Sequence, residues 1–241
     1  MLFDWLKKWR RLLLWLAALG LLLGWILTWA FDAPQRPVLA ERDAIGSAAV
    51  HITGRACGQF SEGTGFMVEP DLVLTNAHVV AGVEEITVSG TDGRSAVGVL
   101  VGFDSQRDIA AISVTGIGAS PVALAPTVAV AADVGDVATV DRVEGVEFVP
   151  FTVNRRIWAQ GIDMVYGEEA EDRIALEIRS LLAAGDSGAA LVNVDGEVWG
   201  MVFAVARGQR DQGYAIDSLE IADFLAEIDR TSLATPPCPT V

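Results

Sequence analysis

Ser187 stands in the run Ala184-Gly185-Asp186-Ser187-Gly188-Ala189-Ala190-Leu191. A serine hydroxyl works as a nucleophile when it projects from a tight turn and backbone N–H groups face the oxyanion formed on attack. Glycines on both sides allow such a turn and let a substrate come close. In this reading the N–H groups of Gly185 and Ser187 form the oxyanion hole. The same residues also suit an ordinary Gly-Asp-Ser-Gly turn between strands, so the run does not decide alone.

A serine hydroxyl needs a base beside it near neutral pH, and imidazole is the usual one. The chain has two histidines. His78, in Leu74-Thr75-Asn76-Ala77-His78-Val79-Val80, follows an apolar strand at Leu72–Leu74 and opens a turn, where it can face a cleft. His51 lies in the alternating run Ala48–Thr53 and reads as a strand residue. The imidazole in turn needs a carboxylate to fix its tautomer and to stabilise its charged form. Asp108 heads the apolar run Ile109-Ala110-Ala111-Ile112 and suits that role. Asp104, four residues earlier in Phe-Asp-Ser-Gln, reads as a solvated loop residue.

The elements that must position these groups are short and β-prone, split by Gly, Asp and Asn. They are predicted at Ala48–Thr53, Gly65–Val68, Glu85–Val88, Ala96–Gly102 and Ile109–Val114. After a break near Pro121–Pro126 come Val137–Val140, Val146–Val153, Ile174–Ile178, Glu197–Val205 and Tyr214–Ile216. Two comparable sets of such strands predict an all-β fold of the sandwich or barrel type. A helix follows: Ile221, Phe224, Leu225 and Ile228 share one face, with Asp217 as N-cap and Glu220 three residues on.

Taken in order, Gly63-Thr64-Gly65-Phe66, Leu74–Val80, Asp108-Ile109-Ala110 and Gly185-Asp186-Ser187-Gly188 resemble the trypsin-like serine proteases. Among them they resemble the bacterial HtrA-type enzymes and the membrane-anchored, MarP-like periplasmic branch. The order His, Asp, Ser is that of chymotrypsin-like enzymes, not of subtilisin or α/β-hydrolases. The resemblance, from about Ala44 to Ile228, implies two six-stranded antiparallel β-barrels with a catalytic triad of His78, Asp108 and Ser187 between them. It also implies a primary pocket floored by Leu181 and Leu182, with Phe203, Ala204, Val205 and Gly213 along its substrate edge and wall. No acid stands there to attract Lys or Arg, so cleavage after apolar residues is expected, unless these side chains simply belong to the core. A role in envelope stress or acid response is part of the same implication. The chain departs from the pattern in four places, the first being one expected membrane span where MarP-like proteins have several. No PDZ-sized segment follows residue 230, and Ala189-Ala190 replace the usual Gly-Pro. No basic residue followed by an Ile-Val-Gly-Gly type terminus is visible, so the partner of Asp186 is left open.

Outside this region, Leu12–Phe31 is uncharged and as a helix would be about 30 Å long, enough for a bilayer core. Lys7, Lys8, Arg10 and Arg11 precede it, and Trp5, Trp9, Trp25 and Trp29 bracket it. The expectation is a signal anchor at 12–31 with residues 1–11 cytoplasmic, a linker at 32–43 and an extracytoplasmic domain over 44–241. A cleaved signal peptide is the alternative. Residues 1–36 carry five basic against two acidic groups, so of the net −15 the remainder holds −18. Such a domain repels nucleic acid and anionic headgroups, and protein or peptide substrates are the expected partners besides the bilayer.

Cys57 and Cys238 are too far apart in sequence for a metal or redox motif, and an exported pair reads as one disulfide. The MarP-like resemblance implies the same pairing. No metal and no cofactor is expected. Three function classes remain: an endopeptidase working through an acyl-enzyme, a catalytically inactive relative acting as a binding or chaperone module, and a membrane-tethered adaptor. A complete triad with both oxyanion-hole residues favours the first.

Overall fold

The computed structural model describes residues 42–141, 145–161 and 163–240. The anchor expected at 12–31 lies outside them. Among the described residues no helix is long and apolar enough to cross a membrane.

The first six strands are β1 (Ala49–Ala56), β2 (Gln59–Glu69), β3 (Leu72–Thr75), β4 (Ile86–Gly90), β5 (Ser95–Asp104) and β6 (Ile109–Ser113). They close into a barrel in the order β1-β2-β3-β6-β5-β4. The next six are β7 (Val134–Asp141), β8 (Gly145–Ala159), β9 (Arg173–Arg179), β10 (Ala190–Val192), β11 (Val198–Val205) and β12 (Gln212–Asp217). They close in the order β10-β11-β12-β9-β8-β7. All pairs within the two barrels are antiparallel. Closure removes the sheet edges that would otherwise invite pairing with other chains.

The burial pattern explains why several strands read as continuous apolar runs. In β3, Val73 points into the first barrel, whereas Leu72 and Leu74 belong to a second apolar layer that also holds Ala138, Val192, Met201 and Ile216 of the other barrel. The pattern repeats in β10, where Leu191 fills the second barrel and Ala190 and Val192 face the shared layer. With a side-chain period of two, a strand buried on both faces has no polar position to spare.

Helix α1 (Arg42–Ala48) was not expected; its first two residues fall in the predicted linker, and Ile45 plugs it into the shared layer. Helix α2 (Ala77–Val80) carries His78. Helix α3 (Ser218–Glu227) is the predicted one: Asp217 accepts the N–H of Leu219, while Ile221 and Phe224 are buried. Glu220 does not complete a capping box, because its carboxylate accepts the N–H of Ile174 in β9 instead. The tail is tied down at several points, among them a disulfide between Cys57 and Cys238 with Cα atoms 6.0 Å apart and Thr240, whose N–H donates to Val165 O at 2.9 Å.

Candidate active site

His78 and Asp108 meet although 30 residues separate them, because β3 and β6 are hydrogen-bonded neighbours. α2 leaves the end of β3, and Asp108 immediately precedes β6. Asp108 Oδ2 accepts from His78 Nδ1 at 2.8 Å, and Oδ1 accepts from the His78 backbone N–H at 3.0 Å. Asn76 Nδ2 donates to Asp108 O at 3.0 Å, fixing the carboxylate's own backbone. Asp108 is wholly buried, whereas the His78 side chain remains 24% exposed. Burial alone would lower the His78 pKa, but the charge of Asp108 and its hydrogen bond outweigh this and raise it. His51 is elsewhere: it lies in β1 with Nε2 2.6 Å from Glu62 Oε1. Asp104 accepts the Arg107 N–H in its own loop and does not touch His78.

The serine turn is set against the first barrel by two glycines. A Cβ at Gly63 would stand 2.8 Å from the Val79 methyls and 3.1 Å from Ser187 O, so only glycine lets the turn approach the His78 helix. Gly188 has φ +87, and a Cβ there would fall 2.0 Å from Thr64 O. Backbone bonds secure the arrangement: Thr64 N–H donates to Ser187 O at 2.8 Å, and Gly188 N–H to Val202 O at 2.9 Å. The N–H groups of Gly185 and Ser187 donate to no other group among the described residues and stay available to an oxyanion. Ser187 Oγ makes no hydrogen bond to His78 among the described residues, and such contacts often tighten only when substrate is bound.

Asp186 finds its partners within the chain. Thr139 Oγ1 on β7 donates to Oδ1 at 2.6 Å, and the Ala183 N–H donates to Oδ2 at 2.7 Å. Thr64 joins in from the other barrel. Its hydroxyl donates to Gly185 O at 2.9 Å, and its carbonyl accepts from Thr75 Oγ1 at 2.7 Å. Sequence reasoning quoted Thr64 only as part of a motif and passed over Thr139. Both sit in apolar strands, where a buried hydroxyl needs a hydrogen-bond partner, and that was the available signal.

Of the expected pocket residues, Leu182 packs where a side chain at Gly213 would otherwise stand. Leu181 is 71% exposed. The Phe203 ring lies buried beneath the Arg173 guanidinium, 4.8 Å away. Ala204 and Val205 stay accessible on β11. A bulge at Val202/Ala204 interrupts the pairing of that strand with β12. Among the described residues no group of His, Cys, Asp or Glu is arranged to hold a metal.

Two closed six-stranded barrels, with a buried aspartate–histidine pair on one and a Gly-Asp-Ser-Gly turn on the other, define the chymotrypsin-like class of fold. The chain belongs to the trypsin-like peptidase domain family, whose profile matches residues 63–201. Serine protease Rv3671c of Mycobacterium tuberculosis is 33% identical over 177 residues, 73% of this chain and 44% of that protein. A probable periplasmic serine endoprotease of the DegP-like kind from Halomonas elongata is 31% identical, over 68% of this chain and 35% of its own length. The crystal structure of the active form of the M. tuberculosis Rv3671c protease superposes with a TM-score of 0.78 at 31% identity, covering 87% of this chain and 94% of that one. The chain spans less than half the length of these curated relatives.

Proposed function

We propose that the protein is an extracytoplasmic serine endopeptidase, tethered to a membrane by residues 12–31, that cleaves polypeptides after apolar residues. The observation that carries this reading is the buried Asp108 carboxylate bonded to both the Nδ1 and the backbone N–H of a partly exposed His78. With Nδ1 protonated, the free lone pair is on Nε2, which takes the Ser187 proton as Oγ attacks the substrate carbonyl. The N–H groups of Gly185 and Ser187 receive the oxyanion. His78 returns the proton to the leaving amine, and water then hydrolyses the acyl-enzyme by the same steps in reverse. No cofactor enters this sequence.

The preference for apolar residues rests on Leu182 beside Gly213 and on the lack of an acid among Leu181, Leu182 and Phe203–Val205. Burying a lysine or arginine head there would leave an unpaired charge, whereas an apolar side chain gains about 1.5–3 kcal/mol. A digest of a peptide library should show cleavage after Val, Ala, Leu or Met; dominant cleavage after basic residues would mean the pocket is misplaced. The tether is supported by the apolar length and basic flank of residues 1–31, and a place in envelope stress or acid response by resemblance alone.

The inactive-module reading has one observation on its side, the lack of a Ser187–His78 hydrogen bond among the described residues. A fluorophosphonate probe decides between the two. It should label the wild-type protein at Ser187 and leave Ser187→Ala unlabelled; a folded wild-type protein that takes no label and hydrolyses no peptide overturns the endopeptidase reading.

A further inference from the structure

Arg173 opens β9 and is 5% exposed. A buried guanidinium is normally accounted for by a carboxylate in direct contact. Arg173 makes no ion pair within 4.0 Å among the described residues, and its Nε has no hydrogen-bond partner. What it does touch is specific. Nη1 donates to Gln106 O at 2.5 Å, and the guanidinium lies over the Phe203 ring. Gln106 is two residues before Asp108.

The loop that Arg173 reaches needs holding. Asp108 has φ +61, a left-handed conformation that a non-glycine residue keeps only when its surroundings impose it. The second barrel grips Gln106, two residues before that strain, from three directions. Besides Arg173, Gln106 Nε2 donates to Asp163 Oδ2 at 3.2 Å, and the Glu171 N–H donates to Gln106 Oε1 at 2.9 Å. On the far side Arg107 is tied to Glu227 at 2.8 Å and lies near Asp104 and Glu220.

We propose that Arg173 is a positioning residue for the triad acid: by holding the Gln106 carbonyl from the second barrel it keeps the Asp108 carboxylate on His78 Nδ1. This rests on His78 serving as general base. Burial pulls the Arg173 pKa down, while the charges of Asp108, Asp163, Asp104 and Glu220 oppose that, so the cation sits among carboxylates it does not directly pair with. A residue kept for packing alone would not need that charge.

The test is Arg173→Ala and Arg173→Lys, with kcat, KM and the pH profile of kcat/KM on one peptide substrate. Thermal melts and the low-field proton signal of His78 Nδ1–H are recorded alongside. A small misplacement of a catalytic group costs about 10²-fold. Arg173→Ala should therefore lose kcat by about that factor with little change in KM, and the Nδ1–H signal should broaden or vanish. The apparent pKa of His78 should fall, because Asp108 no longer offsets burial. If Arg173 acted only through its charge, removing it would raise that pKa, and Arg173→Lys would restore full activity; either result overturns the proposal. A lower melting temperature with unchanged kcat and pH profile would also overturn it, leaving a packing role. Should the alanine variant not fold, Arg173→Lys decides alone: it keeps the charge without the guanidinium fork, and kcat well below wild type is expected. Failure of the wild-type enzyme to hydrolyse peptide or take label would instead overturn the endopeptidase reading itself.

Discussion

Asp108 accepts two hydrogen bonds from a single residue, and this sets how the site responds to pH. The acid limb of kcat/KM should lie above the ordinary imidazole value, since His78 must lose its proton to act and its pKa is raised. The same sign gives protonated His78 a stabilising share below its unfolded pKa, lost as pH rises through the folded one. Asp108→Asn should move the acid limb to lower pH and reduce kcat by about 10⁴-fold, as a wrong tautomer does in triads of this kind. A pH–rate profile of wild type and variant checks both. Ser187→Ala and His78→Ala should each cost on the order of 10⁶ in kcat, because triad members act as a unit. Circular dichroism should show the fold of both variants intact. The meeting of His78 with Asp108 was legible in the sequence because chemistry narrows the choice: only two histidines are present, and only Asp108 of two nearby acids heads a buried strand. The pocket residues were less legible, because an offset counted from the serine fixes a backbone position but not which way a side chain turns.

At the scale of elements, the serine turn is shaped by hydroxyls from two strands that belong to different barrels. Thr139→Val would leave the buried Asp186 carboxylate short of a donor, a loss of about 1–3 kcal/mol, and the turn should lose its shape before the barrel melts. Hydrolysis should drop and Thr139→Ser should recover it, as urea titration and peptide kinetics can show. Gly188→Ala should be worse than either, because both its φ and the 2.0 Å approach to Thr64 O exclude a side chain. Most strands were legible from their length and β-branched content. The three-residue β10 was not, since Ala190–Val192 between Ala189 and Asn193 is too short a run to carry a strand signal and only its place between β7 and β11 makes it one. α1 escaped notice for the opposite reason: a seven-residue stretch with one large apolar side chain has no periodicity to read.

For the whole molecule, the disulfide links the first barrel to the far end of the chain. Cys57 and Cys238 are 181 residues apart. Replacing both with serine should cost about 2–4 kcal/mol, chiefly through the unfolded state, and lower the calorimetric midpoint. Mass spectrometry of unreduced protein should find no free thiol. Two sets of strands around a proline-rich break pointed to a sandwich or barrels, and the paired six-stranded barrels followed from the resemblance. The apolar layer between them was not foreseeable, because a residue facing that layer and one facing a barrel interior are chemically alike.

Since the Asp186 carboxylate is satisfied by Thr139 and Ala183, the serine turn has no use for a free ammonium group. The enzyme should therefore need no maturation cut. Synthesised with a long N-terminal fusion, or with its first residues blocked by acetylation, it should hydrolyse peptide as fast as a version trimmed to residue 42. Its activity would then be governed by where it is delivered rather than by when it is processed.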